Sequence, residues 1–412
     1  MQKKNSLNPQ VWILASGRLL LQFGTGFTLF YAPLFFVNEL NFSPTMVGIA
    51  LGSASVSGVA GRFWGGSWSD SPDWGRKKTL LISAFVSAIA DIFLVLADNF
   101  TFLLMGNLLM GLGIGFYWPP AEAIIADLTT EEQRNSAFAI TRLADNIGLG
   151  FGVVIGGWLI AQTNNYRSLF MIDGLSFVVF FVIIYLTIKE TVIKKDGGDT
   201  PAEETNGWSL ALKDKSLWIF FVVNVIFTTY MAVIQSILPL YLTNFTIGSQ
   251  FSITNISGLF SLYIAFAALF QLPMVKVLNS LTNIQGLILA SVLWGVSFAL
   301  IWVTGNTTGG TFILGIISVL LGAIAMVTYS PAASALVVDL APSSLRGIYF
   351  AINSQCWAIG YFIGPTFGGW ILDQGEFYAH GLWLVLVLTI GITIVILKYL
   401  QSYQNKIKTI QS

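Results

Sequence analysis

Five ionisable side chains stand inside long apolar stretches of this sequence: Arg18, Asp91, Glu122, Arg142 and Asp145. A charge in hydrocarbon surroundings is costly, so each is by default a functional candidate. The chemistry available to a carboxyl beside a fixed cation is reversible proton binding. Burial makes the carboxyl harder to ionise and a neighbouring arginine makes it easier, so a change of surroundings can load or release the proton. Glu122 and Asp145 are the proton-coupling candidates, with Arg18 and Arg142 as the cations beside them. Arg142 and Asp145 are three residues apart, share a helical face and are able to pair. A static buried ion-pair network that orients helices is the other reading of the same residues. Asp98 and Asp173 read as wetted helix ends near the outer interface.

The elements that hold these residues follow from composition. The chain has 412 residues, 55% hydrophobic and only 10% charged. Soluble domains carry charge at roughly a quarter of positions, so most of this surface is expected to face lipid. The single cysteine, Cys356, excludes an internal disulfide, and the single histidine, His380, excludes a His-rich metal cluster. No cofactor or metal is implied. Positive and negative charges balance at 20 each, which gives no sign of a nucleic-acid partner.

A membrane helix needs about 20 apolar residues. Runs of that kind occur over 11–38, 45–67, 79–97, 101–127, 136–161, 168–188, 217–242, 255–275, 285–304, 310–339, 348–372 and 381–400. With the N-terminus inside, 16 Lys and Arg fall in cytoplasmic segments and only Arg167 outside, a strong positive-inside bias. The polar, turn-rich stretch 189–216 divides the spans six and six. The expectation is an all-α integral membrane protein of the cell membrane with twelve transmembrane helices. It comprises a six-helix bundle over 1–188, a cytoplasmic linker over 189–216 and a second bundle over 217–412, with both termini cytoplasmic. The linker's end, 208–215, reads either as a short interfacial helix or as a tether.

The halves repeat. A shift of 212 places Pro119 on Pro331, Asp127 on Asp339 and Arg134 on Arg346. It also places Gly148, Gly152, Gly156 and Trp158 on Gly360, Gly364, Gly368 and Trp370. A two-fold internal repeat is the usual build of secondary transporters, with the solute site between repeats near the midplane. There is no Gly-x-x-x-x-Gly-Lys-Ser/Thr phosphate loop, hence no evident ATP motor in this chain.

Gly66, Asp70, Gly75, Arg76 and Lys77 follow the pattern Gly-x-x-x-Asp-x-x-Gly-Arg-Arg/Lys between helices 2 and 3, with four residues instead of two separating Asp70 from Gly75. On these residues the chain resembles the major facilitator superfamily, in particular its bacterial twelve-helix multidrug/proton antiporters. The resemblance implies that this loop, with Asp127, forms a gating network that latches the halves in an outward-open state. Gly148, Gly152 and Gly156, and Gly360, Gly364, Pro365 and Gly368, are similar to the family's antiporter motif and are read as helix-packing residues. Val153 replaces the helix-5 proline of that motif. Asn107 stands where exporters of the family carry an arginine on helix 4.

The resemblance further implies that helices 1, 4, 7 and 10 line the cavity, flanked by 2, 5, 8 and 11. Arg18, Glu122, Arg142 and Asp145 then form one charge-balanced cluster, while Asp91 lies on a scaffold helix in a structural role. The second half would face the solute with neutral groups, Asn224, Tyr230, Gln235, Gln271, Tyr329, Gln355 and Trp357, together with Asn107 of the first half. The expected activity is proton-coupled export of small amphipathic, drug-like compounds by alternating access, without enzymatic chemistry. Import of a neutral solute by symport or facilitation is the alternative, and a non-transporting sensor is a third. The expected partners are a small-molecule substrate, protons and the lipid bilayer, with the protein a monomer.

Overall fold

The computed structural model describes residues 7–191, 209–248, 250–278, 280–342 and 345–411; within them a few helical side chains, those of Arg134, Arg142 and Arg346 included, lie outside the description. Among the described residues there are twelve long helices. In the first half they are α1 (Pro9–Leu34), α2 (Pro44–Asp70), α3 (Gly75–Val95), α4 (Phe100–Asp127), α5 (Glu131–Thr163) and α6 (Arg167–Thr187). In the second half they are α7 (Lys215–Asn244), α8 (Ile253–Leu278), α9 (Asn283–Asn306), α10 (Thr311–Leu340), α11 (Arg346–Asp373) and α12 (Glu376–Gln411). Eleven of them are long and apolar enough to cross a bilayer. The twelfth, α11, is as long but carries Asn353, Ser354 and Gln355 in succession.

Local sequence sets the ends. Asn8 and Ser43 accept from the backbone amides of Gln10 and Met46, each just ahead of a proline that opens the helix. Thr282 and Gln285 form a reciprocal capping box on α9. Asn164, at φ 51°, closes α5 in the left-handed region. After Pro33, α1 widens into a π-helical turn, Phe35–Glu39, in which the Leu40 amide donates to the Phe35 carbonyl at 3.2 Å. The last helix runs to Gln411, past the apolar run that ends near 400, since a helix needs no apolar residues once it has left the hydrocarbon. A single helical turn over 209–213 precedes α7, while linker residues 192–208 lie outside the description.

The chain divides into two compact units, Met1–Asp196 and Gly197–Ser412. In the first, α1 packs on α5 and α6, α3 on α4 and α6, and α2 on α4. In the second, α7 packs on α11 and α12, α9 on α10 and α12, and α8 on α10. The core of the first unit joins Val11, Leu14 and Leu21 of α1 to Leu80 of α3, Tyr117 and Ile124 of α4, and Phe177, Phe180 and Ile184 of α6. An aromatic cluster of Phe227, Tyr230, Trp294, Phe298 and Tyr329 fills the second.

Candidate functional site

The glycines of α5 decide where its charge can go. A β-carbon on Gly148 would strike the backbone of Leu19, one on Gly152 would lie 3.1 Å from the Cα of Gly26, and one on Gly156 would lie 2.9 Å from the rings of Phe27 and Tyr31. Three positions spaced by four residues thus press α5 directly onto α1. Just before them, Arg18 and Asp145 meet across the seam. Arg18 Nε donates to Asp145 Oδ1 at 2.9 Å, and its Nη2 donates to Oδ2. Their side chains are only 4% and 15% exposed. From α4 the Trp118 ring lies 4.9 Å beneath the guanidinium.

The described partner of Asp145 is Arg18 of α1. The reason is the glycine seam, which brings a different helix closer than residue spacing along α5 could show. The side chain of Arg142 lies outside the described residues. Glu122 is exposed on α4, and its charge bears on both Arg18 and Arg62.

The described contacts of the loop expected to gate are with residues of the first unit. Arg76 makes a direct ion pair with Asp127 of α4, donates to the Ala123 carbonyl at 3.2 Å and to Thr191 Oγ1 at 3.3 Å, and stands 4.0 Å from Asp70. Asp127 is the principal partner, while Asp70 is 77% exposed at the limit of an ion pair. Lys77 reaches α6, donating to the Tyr185 carbonyl at 2.8 Å. Gly75 adopts φ +81°, a conformation that glycine tolerates. A β-carbon there would overlap the carboxylate of Glu190. Gly66 has open space above it, and a methyl group at that position would meet no described atom within 4 Å.

Glu190 was not among the expected site residues. Its carboxylate accepts from the amides of Arg76 and Lys77 at 3.0 and 3.1 Å, orphan donors at the positive end of α3. The only sequence signal was an acidic residue opening the linker.

In the second unit the corresponding seam is α7 on α11. Gly360 faces Thr228, Gly364 faces Ala232, and Gly368 faces Ile237, with Pro365 inside the same helix. Here the bonds across the seam are neutral. Asn224 Nδ2 donates to Asn353 Oδ1 at 2.6 Å, and Tyr329 of α10 donates to Asn224 Oδ1 at 3.0 Å. Tyr361 donates to Gln235 at 2.9 Å. Tyr230 turns away from this network and bonds Thr389 of α12 at 2.7 Å. Gln355 and Gln271 are exposed, as is Trp357, whose ring lies 5.8 Å from that of Tyr361 and is tilted against it. Asn107 is buried in the first unit, and its amide is given to the Leu103 carbonyl of its own helix at 2.9 Å.

Two carboxylates depart from expectation together. Asp173 is 1% exposed, because the first turns of α6 are covered by α1 and α3; it is not a wetted helix end. It adjoins Asp91, also 1% exposed. Asp98 does lie at an exposed end, paired with Arg167.

A family model described as Major Facilitator Superfamily matches residues 14–257 and 244–410. The chain belongs to the Major Facilitator Superfamily. An uncharacterised MFS-type transporter of Bacillus subtilis (strain 168), YqjV, is 25% identical over 382 residues, covering 90% of this chain and 88% of the relative. The multidrug resistance protein MdtH of Shigella boydii serotype 4 is 24% identical over 344 residues, covering 83% and 81%. Among solved structures, the nucleoside transporter NupG superposes with a TM-score of 0.78 at 14% identity, covering 95% of this chain and 98% of that one. At that identity the likeness speaks for the fold alone. As a superfamily member the protein is a multi-pass membrane transporter and not an enzyme.

Proposed function

We propose that the protein is a proton-coupled exporter of small amphipathic compounds in the cell membrane. The carrying observation is the buried Arg18–Asp145 pair on the α1–α5 seam, the described mid-helix ion pair, with Glu122 close enough for its charge to act on the same arginine. A proton arriving at Asp145 removes the counter-ion of a guanidinium held out of water, which raises the cost of keeping α1 and α5 in this arrangement. A proton arriving at Glu122 instead removes a second negative charge from beside Arg18. Either event ties proton occupancy to the seating of α1. The neutral α7–α11 network and its aromatic surroundings suit a solute without fixed strong charge. The multidrug relative supports the export direction.

Import of a neutral solute is the second reading. Asn107 in place of the exporters' arginine and Val153 in place of the antiporter proline favour it. Flux driven by an imposed pH gradient in proteoliposomes separates the possibilities. Glu122→Gln or Asp145→Asn is expected to abolish gradient-driven flux while leaving solute binding. Coupled flux that survives in both variants would refute the proton assignment. Uptake without efflux in right-side-out vesicles would refute the direction.

A further inference from the structure

Asp91 on α3 and Asp173 on α6 lie in the seam where those helices pack together, Asp91 standing against Gly174, the residue after Asp173. Both are 1% exposed. Among the described residues, neither carboxyl oxygen of Asp91 has a hydrogen-bond partner, and Asp173 has one weak contact, from the Ser176 hydroxyl at 3.5 Å. Two glycines close around the pair. A β-carbon on Gly174 would stand 3.1 Å from the Cβ of Asp91, and one on Gly24 of α1 would stand 2.6 Å from the carboxyl carbon of Asp173. Helix α1 therefore sits directly on Asp173.

The charged groups on every helix packed against the pair are already engaged or distant. On α6, Arg167 binds Asp98 and the Val95 carbonyl. On α1, Arg18 lies about 9 Å along the axis from Gly24 and binds Asp145. On α4, Asn107 is neutral and bonds its own helix. On α2, Arg62 and Asp70 lie toward the Gly75 end of α3. Ser87, one turn before Asp91, is uncharged and lies against Gly113 of α4. No cation is left for the two carboxyls among the described residues.

Two adjoining carboxylates out of water cannot both stay ionised, because burial and like charge act in the same direction, and an isolated buried carboxylate takes up a proton instead. We propose that Asp91 and Asp173 form a buried proton-holding pair, a second proton site in the first unit, separate from Arg18 and Asp145. Releasing that proton to water leaves two negative charges out of water, that of Asp173 directly against Gly24. The α1–α6 seam must then open far enough to admit water, so proton occupancy sets how firmly α1 is seated. This inference does not depend on the direction or substrate of transport.

Infrared spectroscopy of the protein in lipid nanodiscs tests it without any flux measurement. Protein labelled with carboxyl-¹³C aspartate should show, at neutral pH, a protonated-carboxyl C=O band that moves with the label and with transfer to D₂O. The band should vanish in Asp91→Asn/Asp173→Asn and persist in Asp145→Asn. Should the double variant fail to fold, Asp173→Glu keeps the proton and should shift the band. Absence of the band from the labelled wild type, persistence in the double variant, an unmoved band in Asp173→Glu, loss in Asp145→Asn, or loss on adding Na⁺ at fixed pH would each overturn the proposal.

Discussion

Arg18 shows what one side chain can carry and what residue spacing can hide. Its guanidinium is shared between a carboxylate on α5 and an indole on α4. Removing one member of a buried ion pair costs roughly 3–5 kcal/mol, because the other is left charged and unpaired, whereas an apolar replacement of both is often neutral. Arg18→Ala is therefore expected to lower stability by about 3–5 kcal/mol, and Arg18→Met/Asp145→Leu to recover most of it, as read by thermal unfolding in detergent. A small effect of Arg18→Ala would argue that the pair is well hydrated. The sequence offered Arg142 as a partner for Asp145 and reached Arg18 only through the family resemblance, because adjacency along one helix is visible in a sequence and contact between helices is not. Asn353 was missed although other amides in apolar helices were singled out, because only the contact with Asn224 across the seam distinguishes it. Asp173 was misplaced because its depth was counted from the end of α6 without the neighbours that cover it.

At the scale of the element, the glycine seams are the feature most legible beforehand, since spacing by four is itself a geometric statement. Gly152→Val would drive a branched side chain into the backbone of Phe23 and Gly26. Overpacking of this kind costs about 1–3 kcal/mol, and more where backbone must move. The expected result is a clear loss of thermal stability or of folded yield. Gly66→Ala is the contrast. A methyl there meets nothing among the described residues, so unfolding should be unchanged, and any loss of transport would belong to a conformation in which another surface approaches Gly66. Helix extents were also readable from apolar runs, except where a helix outlives its run. The polar tail of α12 and the π-helical end of α1 are such cases, since hydropathy reports burial in lipid and not backbone geometry.

At the scale of the whole molecule, the repeat was legible through rare residue types at one fixed shift, and the helix pairings of the two units follow the same order. Their chemistry does not repeat. An ion pair crosses the α1–α5 seam, whereas amides and a phenol meet across α7–α11 and α10. The charge bias predicts the topology. In a Cys356→Ala background, Asn165→Cys should react with an impermeant thiol reagent in intact cells, and Lys189→Cys only after permeabilisation. The reverse pattern would invert the orientation read from 16 cytoplasmic Lys and Arg against one outside. Glu190 adds a mechanical point. It is both the start of the linker and the anion that holds the first turn of α3, beside the arginine of the latch. The start of the connecting segment is thus fastened to the loop expected to gate. A load reaching Glu190 along the chain would be borne first by its two amide–carboxylate bonds at Arg76 and Lys77.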